Sequence, residues 1–448
     1  MTEPAPLTDR RILRIAVPIV LANLSVPILG AVDTGVVGQL GEAAPIGAVG
    51  LGAIILASIY WIFGFLRMGT TGLVAQAVGA RDLAESGAIL TRGIMIGLAA
   101  GVVMVAAQAA IMGAAFRIAP ASAEVEGLAR AYLSIRIWGA PATIALYAIN
   151  GWLIATERTR GVLVLQLWMN GLNIALDLWF VLGLGWGVKG VAIATLISEV
   201  SALALGLWLC RAAFSGAQWR DWPRVFERAR LKRMWTVNSD IMFRTIALQA
   251  AMTGFLFVSA GFGDVELAAN QVLWQFLMIA AYALDGFAFA AEALVGQAVG
   301  AGSVAAMRRA SLRASIWGLG AASLMAAGFW LAGPAVIDLM ALDAGVRATA
   351  REFLPFVVAL SILGLGAYML DGIFIGATGT REMRNTVILA VAIYGLIIWW
   401  AVPIWGNQAL WTALIVLNLL RGVFLGLLYP RLERRISVSP LQASSGAV

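Results

Sequence analysis

The chain has 448 residues, of which 61% are hydrophobic and only 12% charged, with a mean hydropathy of +0.89 and a formal net charge of +7. Ordinary soluble proteins are about 45–50% apolar and about 25% charged. Most of this chain must therefore be surrounded by lipid. No nucleic-acid partner is expected, because the basic residues of a membrane protein mark its cytoplasmic loops instead.

The residue types that the sequence lacks exclude several enzyme classes. There is no histidine, the only cysteine is Cys210, and neither Lys189 nor Lys232 lies in a Gly-Lys-Ser/Thr phosphate loop. This excludes histidine-dependent nucleophiles, histidine-ligated zinc, CxxC redox pairs and an ATPase of the P-loop type. We expect a protein that is not an enzyme and that needs neither a cofactor nor a bound metal.

Taken in chain order, the apolar stretches predict twelve membrane-spanning helices. The first, residues 14–38, follows three arginines and is too long for the apolar core of a signal peptide, so it is expected to be retained. The others are 46–68, 89–113, 129–155, 161–184, 189–211, 236–260, 268–296, 311–332, 352–376, 386–405 and 408–429.

The basic residues predict the orientation of these spans. Most of those in the loops fall on the side of the N-terminus, whereas the opposite side has Arg117, Lys189, Arg347 and Arg351. Because Lys and Arg accumulate in cytoplasmic loops, both termini are predicted to be cytoplasmic.

An internal repeat divides the chain into halves. The octapeptide LVAQAVGA at 73–80 recurs as LVGQAVGA at 294–301, with seven identities at an offset of 221. The same offset places Trp179 on Trp400. Because a shift of six spans returns each element to the same side of the membrane, the halves are predicted to be parallel repeats.

The repeat predicts an N-lobe at residues 1–213, a basic cytoplasmic linker at 214–233, and a C-lobe at 234–448 with a short cytoplasmic tail. In the linker, Trp219, Trp222 and Phe226 have helical spacing. We expect them to share one helical face in the lipid headgroup layer, and the linker to act as a tether.

Acids within spans cost a few kcal/mol each in lipid, so they are candidates for function. The spans contain Asp33, Asp177, Glu199, Asp285, Glu292 and Asp371. Asn173 and Asp177 are four residues apart, and Asp285 and Glu292 seven, so each pair projects from one helix face. The repeat does not copy these acids, which indicates function rather than architecture.

Each acid has an alternative interpretation, in which it pairs with a buried base. Arg67, Arg136, Arg244 and Arg421 are available for this. An unpaired acid away from water favours its neutral form, so that proton uptake can switch its charge and bias helix packing.

Aromatic and methionine residues of the spans are expected mainly to face lipid or to pack between helices. A few, together with one asparagine, are also candidates for lining a substrate-binding cleft. These candidates are Asn150, Trp61, Phe65, Trp274, Met278 and Phe287.

Four sequence segments resemble one family. The run DTGVVGQLG at 33–41 resembles the first-helix motif of the multidrug and toxic compound extrusion (MATE) transporters. The segments LDGF at 284–287, AEALVGQ at 291–297 and LDGIFIGA at 370–377 are similar to the DinF branch of that family.

The resemblance covers essentially the whole chain. It implies twelve helices in two six-helix lobes around a V-shaped cleft, in the bacterial inner membrane. It further implies H+- or Na+-driven export of amphipathic, often cationic compounds by alternating access. A monomer is expected.

Carried onto this sequence, the family's N-lobe cation site falls on Asp33, Asn173, Asp177, Tyr132 and Thr195. The sodium-driven branch also uses carboxylates of spans 7 and 10. Span 10 supplies Asp371, but the interior of span 7 has no acid. The remaining C-lobe candidates are Asp285 and Glu292. Proton coupling is therefore favoured, with Na+ at the Asp33 and Asp177 site as the alternative.

Other classes stay open. A lipid or lipid-precursor flippase would share the topology but should hold phosphate with several bases in the cleft, and the intramembrane bases here are few and scattered. A channel would need a continuous polar lining. An intramembrane hydrolase would need Asp33 and Asp177 as a catalytic aspartyl pair.

Overall fold

A computed structural model describes residues 7–39 and 42–438. Across these ranges the chain is helical and contains no β-strand. The end of the first-helix motif, Leu40 and Gly41, lies outside the described residues, as do the terminal segments 1–6 and 439–448.

The first half of the chain begins with the helix that carries Asp33. Its helices are α1 (Asp9–Gly38), α2 (Ala43–Ile62), α3 (Gly64–Gly79), α4 (Leu83–Ala106), α5 (Gln108–Ile118), α6 (Ala123–Arg136), α7 (Ala140–Ala155), α8 (Thr159–Asp177) and α9 (Gly187–Leu209). The linker contains the short helix α10 (Trp222–Val225). The helices of the second half are α11 (Arg228–Ala260), α12 (Asp264–Gly300), α13 (Val304–Met340), α14 (Ala344–Leu363), α15 (Leu365–Gly376) and α16 (Thr380–Val438).

Ten helical stretches among the described residues are long and apolar enough to cross a membrane. The last, Thr380–Ser437, has 58 residues, and Gly406 at φ +54° divides it into two helices. The predicted all-helical membrane architecture is confirmed. The number of twelve spans stays a prediction. Ten stretches correspond to it when the last is counted as two helices at Gly406 and the 30-residue α1 is added.

The chain divides into two compact units. Unit 1 comprises Met1–Val20, Ala75–Arg81 and Trp235–Val448, and unit 2 comprises Leu21–Val74 and Asp82–Met234. Helix α1 therefore contributes its beginning to unit 1 and its later part, which carries Asp33, to unit 2. The lobe and linker boundaries proposed from the sequence stay a prediction.

The core of unit 1 includes a buried polar cluster. Asn270 donates through Nδ2 to Ser259 Oγ at 2.6 Å and to Asn407 Oδ1 at 2.8 Å. Its Oδ1 accepts from Trp411 Nε1 at 2.8 Å and from Asn407 Nδ2 at 3.1 Å. The Trp411 ring also meets Phe255 edge-on at 5.0 Å. A satisfied network of this kind fixes α11, α12 and α16 in one arrangement.

The repeated octapeptide brings helices of unit 1 to backbone contact. A Cβ built on Gly79 would lie 2.0 Å from the carbonyl oxygen of Gln297, and one on Gly300 would lie 2.0 Å from that of Gln76. These positions are equivalent under the offset of 221, so the contact is pseudo-symmetric. Only glycine allows this approach, because a methyl group would overlap backbone atoms.

In unit 2, the segment between α9 and α11 is anchored on α4. The buried Arg92 donates from Nε to the carbonyl of Val225 at 2.7 Å and from Nη2 to that of Arg224 at 2.6 Å. Its Nη1 pairs with Glu85 at 2.8 Å. The segment is thus held by charge-assisted hydrogen bonds.

The expectation of a single aromatic face in this linker is wrong. Trp219 lies in a short 3-10 helix, Ala217–Arg220, with its ring edge-on to Phe214. Trp222 and Phe226 stack with ring centroids 5.9 Å apart. The break falls at Asp221, whose backbone is not helical and whose carboxylate accepts a hydrogen bond from the Arg224 N–H, so that it caps a new helix starting at Trp222.

Candidate ion-coupling site

Asp33 and Asp177 come together in unit 2, from α1 and from the last residue of α8. Their carboxyl groups are hydrogen-bonded to each other. Asp177 is fully buried, and its Oδ1 has no hydrogen-bond partner among the described residues. Residues Leu178–Gly183 continue α8 as a π-helix, a departure from α geometry that is frequent at functional sites. Two carboxyl groups in contact cannot easily both be ionised.

Asn173 lies one turn before Asp177 and is fully buried. With its amide oriented so that both atoms find suitable partners, Nδ2 donates to Asp33 Oδ1 at 3.3 Å. In that orientation Asn173 Oδ1 accepts from the Thr195 backbone N–H at 3.2 Å and from its hydroxyl at 3.1 Å. The orientation is assigned from these hydrogen bonds. Thr195 is therefore linked to the carboxyl pair by hydrogen bonds to Asn173, which in turn contacts Asp33.

Tyr132 is buried on α6, and its hydroxyl is hydrogen-bonded to Arg136. Arg136 forms a buried bidentate ion pair with Glu199, at 2.7 Å and 3.0 Å. Glu199 is thus paired with a buried base, as the alternative interpretation of the acids expected.

Arg136 also lies close enough to act electrostatically on Asp33 and Asp177. Neither of these acids forms an ion pair in the part of the chain that the structure describes. The pair differs in this from Glu199, whose carboxylate is held by a guanidinium group.

Asp371, on α15 in unit 1, lies between two buried arginines. Its Oδ2 accepts from Arg421 Nη2 at 2.5 Å and from Arg244 Nη2. Arg421 also donates to Asn418 Oδ1 at 2.9 Å. Asp371 is therefore paired with buried bases, as the alternative interpretation of the acids expected. Two guanidinium groups contact its one carboxylate.

Asp285 and Glu292 lie on α12 in unit 1, two turns apart. Glu292 is only 1% exposed, and Asp285 acts electrostatically on Arg244 and Tyr368. Asp285 therefore belongs to the same charged region as Asp371. These acids belong to unit 1, whereas Asp33 and Asp177 belong to unit 2.

The cleft candidates of unit 1 pack in its interior. Trp274 stacks obliquely on Phe255 at 5.4 Å, and Met278 packs against the same core. Phe287 is 8% exposed. The packing role expected for these side chains agrees with this placement.

The cleft candidates of unit 2 are more accessible. Trp61 is 49% exposed near the end of α2, and Phe65 is partly buried with its ring 6.0 Å from Phe63. Asn150, on α7, is partly buried and its Oδ1 has no hydrogen-bond partner among the described residues.

Sequence analysis missed the contact of Ser25 with Asn170. The Asn170 amide donates to the Ser25 hydroxyl at 2.9 Å and to its carbonyl at 3.2 Å, which ties α8 to α1 just before Pro27. The signal was present, because Asn170, Asn173 and Asp177 form one polar stripe along α8. This stripe positions the helix that carries Asp33.

A helical membrane protein with a pair of carboxyl groups in its spans has the character of a membrane transporter. The MatE family model matches residues 18–179 and again 241–402. The chain is 36% identical over 432 residues to DNA damage-inducible protein F of Escherichia coli, covering 95% of this chain and 92% of that protein. The chain therefore belongs to the MATE family of multidrug and toxic compound extrusion transporters, which are not enzymes. The double match is what the internal repeat predicts.

More distant relatives and solved structures agree. The chain is 27% identical over 441 residues to the probable multidrug resistance protein NorM of Pseudomonas aeruginosa, covering 92% and 87% of the two chains. A MOP superfamily transporter from Pyrococcus furiosus has a TM-score of 0.84 at 20% identity, and the match covers 96% of this chain and 97% of that one. An outward-facing MATE family transporter has a TM-score of 0.83 at 22% identity, covering 96% of each chain. The two-lobe MATE fold predicted from the sequence is confirmed.

Proposed function

We propose that this transporter exports amphipathic, cationic compounds in exchange for protons, and that Asp33 and Asp177 form its coupling site. The observation that carries the proposal is the hydrogen-bond contact of the buried Asp177 with the half-buried Asp33, without an ion-paired base among the described residues. Such a pair favours the binding of a proton or a cation, because two ionised carboxylates in contact repel each other.

Proton binding would change what the pair attracts. With both groups ionised, the site favours a cation. Once protonated, it loses that attraction, and its carboxyl groups can hydrogen-bond to each other and to Asn173. Because Asp33 is on α1 while Asp177 and Asn173 are on α8, the change alters how these two helices hold together. A difference of this kind can bias the transporter between outward-open and inward-open states.

The proton gradient supplies enough free energy for export. One proton contributes about 2.3 kcal/mol per 100 mV and about 1.4 kcal/mol per pH unit. An electroneutral exchange for a monovalent cation gains only the pH contribution. This suffices for roughly tenfold accumulation per pH unit.

The substrate class and the location are part of the proposal. A curated relative is named as a probable multidrug resistance protein, which supports drug-like substrates. The bacterial relative supports a location in the bacterial inner membrane, and the distribution of arginines supports both termini in the cytoplasm. We propose that it works as a monomer without a cofactor.

The test is transport in proteoliposomes with the two ion gradients imposed separately. Uptake of a cationic dye is measured for the wild type, for Asp33→Asn and for Asp177→Asn. The matched control is Glu352→Gln, which removes an exposed carboxylate from α14. The pH gradient alone should drive uptake in the wild type and the control. In the wild type each pH unit of gradient should raise the accumulation ratio of the dye about tenfold. Both aspartate variants should lose this accumulation.

Two outcomes would replace the proposal. Uptake that requires Na+ and ignores the pH gradient would make the pair a sodium site. Phospholipid scrambling without dependence on any gradient, with no dye uptake, would favour a lipid flippase. Loss of activity in Glu352→Gln to the same extent would show that the assay does not report on the site.

A further inference from the structure

A basic pocket lies at one end of unit 1, where the beginning and the end of α16 meet. No acid of the candidate ion-coupling site is among the residues that line it. The pocket is lined by Arg381, Glu382, Asn385, Leu428, Arg431 and Arg435.

The pocket presents uncompensated positive charge. Arg381, Arg431 and Arg435 are exposed. Arg435 pairs with Glu382, but Arg381 and Arg431 have no ion-pair partner among the residues that the structure describes. Two guanidinium groups are therefore available to an anion, for which their fork of N–H donors is well suited.

Asn385 adds a further donor. Its Oδ1 accepts from Arg384 Nε at 3.1 Å and from Arg384 Nη2 at 2.9 Å. The amide oxygen is thereby occupied by a cation, so the NH2 group remains as the donor of this side chain. Arg384 is itself held by Asp240 at 2.5 Å. Glu382 is the one carboxylate among the lining residues: its Oε1 pairs with Arg435, and its Oε2 has no hydrogen-bond partner among the described residues. The other polar groups of the lining offer donors.

Exposed apolar side chains continue from the basic lining along both helices. Leu427 is 72% exposed and Val423 is 52% exposed, four and eight residues before Arg431. On the other helix, Ile388 and Leu389 are 45% and 51% exposed, one turn beyond Asn385. Basic groups at the end of an apolar membrane surface match a phospholipid, with its phosphate beside the arginines and its chains along the apolar side chains.

The repeat shows that the fold does not require this pocket. At the offset of 221, Arg381 corresponds to Arg160, but Arg431 and Arg435 correspond to Cys210 and Phe214. The basic cluster is therefore present in one half only. A feature that the architecture does not need is better explained by a ligand.

We propose that this pocket binds the headgroup phosphate of an anionic phospholipid, with Arg381 and Arg431 as its main ligands. This inference does not depend on the coupling ion or on the exported substrate. The occupant is a membrane lipid rather than a soluble phosphate, because the exposed apolar residues beside the arginines have a role only for a lipid.

The test is native mass spectrometry of the full-length protein in detergent, titrated with phosphatidylglycerol, phosphatidylcholine or glycerol phosphate. The variant Arg381→Gln/Arg431→Gln is compared with Arg160→Gln/Arg211→Gln, which removes two exposed arginines from unit 2. The wild type and the control should prefer phosphatidylglycerol to phosphatidylcholine. The pocket variant should bind phosphatidylglycerol about 25-fold more weakly, or about fivefold for each charge. All four arginines are exposed, so the variants should fold, and their thermal unfolding in detergent checks this.

Three results would overturn the proposal. The first is equal binding of the two phospholipids by the wild type. The second is an equal loss of phosphatidylglycerol binding in the pocket variant and the control. The third is binding of glycerol phosphate as tight as that of phosphatidylglycerol, which would make the pocket a site for a soluble phosphate.

Discussion

Buried charge is handled in two different ways in this molecule. Asp371 is enclosed by Arg244 and Arg421, so that its charge is fixed by ion pairs. Asp33 and Asp177 instead contact each other. The first arrangement holds one charge state and suits a structural role, whereas the second can change its charge state at modest cost and suits coupling.

This contrast gives a prediction for stability. Asp371→Asn should destabilise the protein by about 3–5 kcal/mol, because it leaves two arginines buried without their carboxylate. Asp33→Asn should cost far less, since it removes one of two carboxyl groups that repel when ionised. Thermal unfolding of both purified variants in the same detergent measures the difference. Equal unfolding midpoints would contradict the distinction between a fixed and a switchable acid.

The sequence predicted this site at the level of single helices. The spacing of Asn173 and Asp177 is enough to place them on one face, because helix geometry is local. The choice of partners is not local. Arg136 joins Glu199 across 63 positions of sequence, and no periodicity reveals which of the intramembrane arginines meets which acid.

At the scale of elements, the closest helix contact is made by the repeated octapeptide. Gly79 and Gly300 each face a backbone carbonyl of the other copy. The neighbour is main chain in both cases, so it cannot move aside as the end of a flexible side chain could. Small residues commonly allow helices in membranes to approach in this way.

We therefore expect Gly300→Ala to destabilise the protein by about 1–3 kcal/mol, through overpacking against the backbone of α3. Gly320→Ala is the matched control, because a Cβ there would meet nothing within 4 Å. In that control alanine should stabilise the helix by about 0.5–1 kcal/mol. Chemical unfolding of the two variants should give shifts of opposite sign, and a stabilised Gly300→Ala would refute the packing argument.

The positions of the membrane spans could be predicted, because the thickness of the bilayer sets their length. The local shape of the linker and of the end of α8 could not, because it depends on packing. The predicted spans overlap the observed helical stretches because about 20 apolar residues are needed to cross a bilayer. The predicted span 89–113 is the exception in shape, because its helix ends at Ala106 and α5 follows. The single aromatic face predicted for the linker was wrong because a new helix, capped by Asp221, begins between Trp219 and Phe226. The π-helix after Asp177 has no counterpart in hydrophobic periodicity, so its position could not be read from the sequence.

At the scale of the whole molecule, the fold is a repeat but the chemistry is not. Both halves match the same family model. The carboxyl pair lies in unit 2, and the enclosed Asp371 and the basic pocket lie in unit 1. The two units thus differ in the tasks that their charged residues can perform. For the acids this asymmetry is already visible in the sequence. When the two halves are aligned at the offset of 221, the positions equivalent to these acids carry other residue types.

The central claim is that a proton and a cationic substrate compete for the Asp33 and Asp177 pair. The most direct measurement adds tetraphenylphosphonium to purified, weakly buffered protein in detergent and follows a pH indicator. Linkage between the two ligands predicts the release of about one proton per bound cation in the wild type and none in Asp33→Asn. Glu352→Gln should behave as the wild type does. Cation binding to the wild type without any proton release would contradict the account.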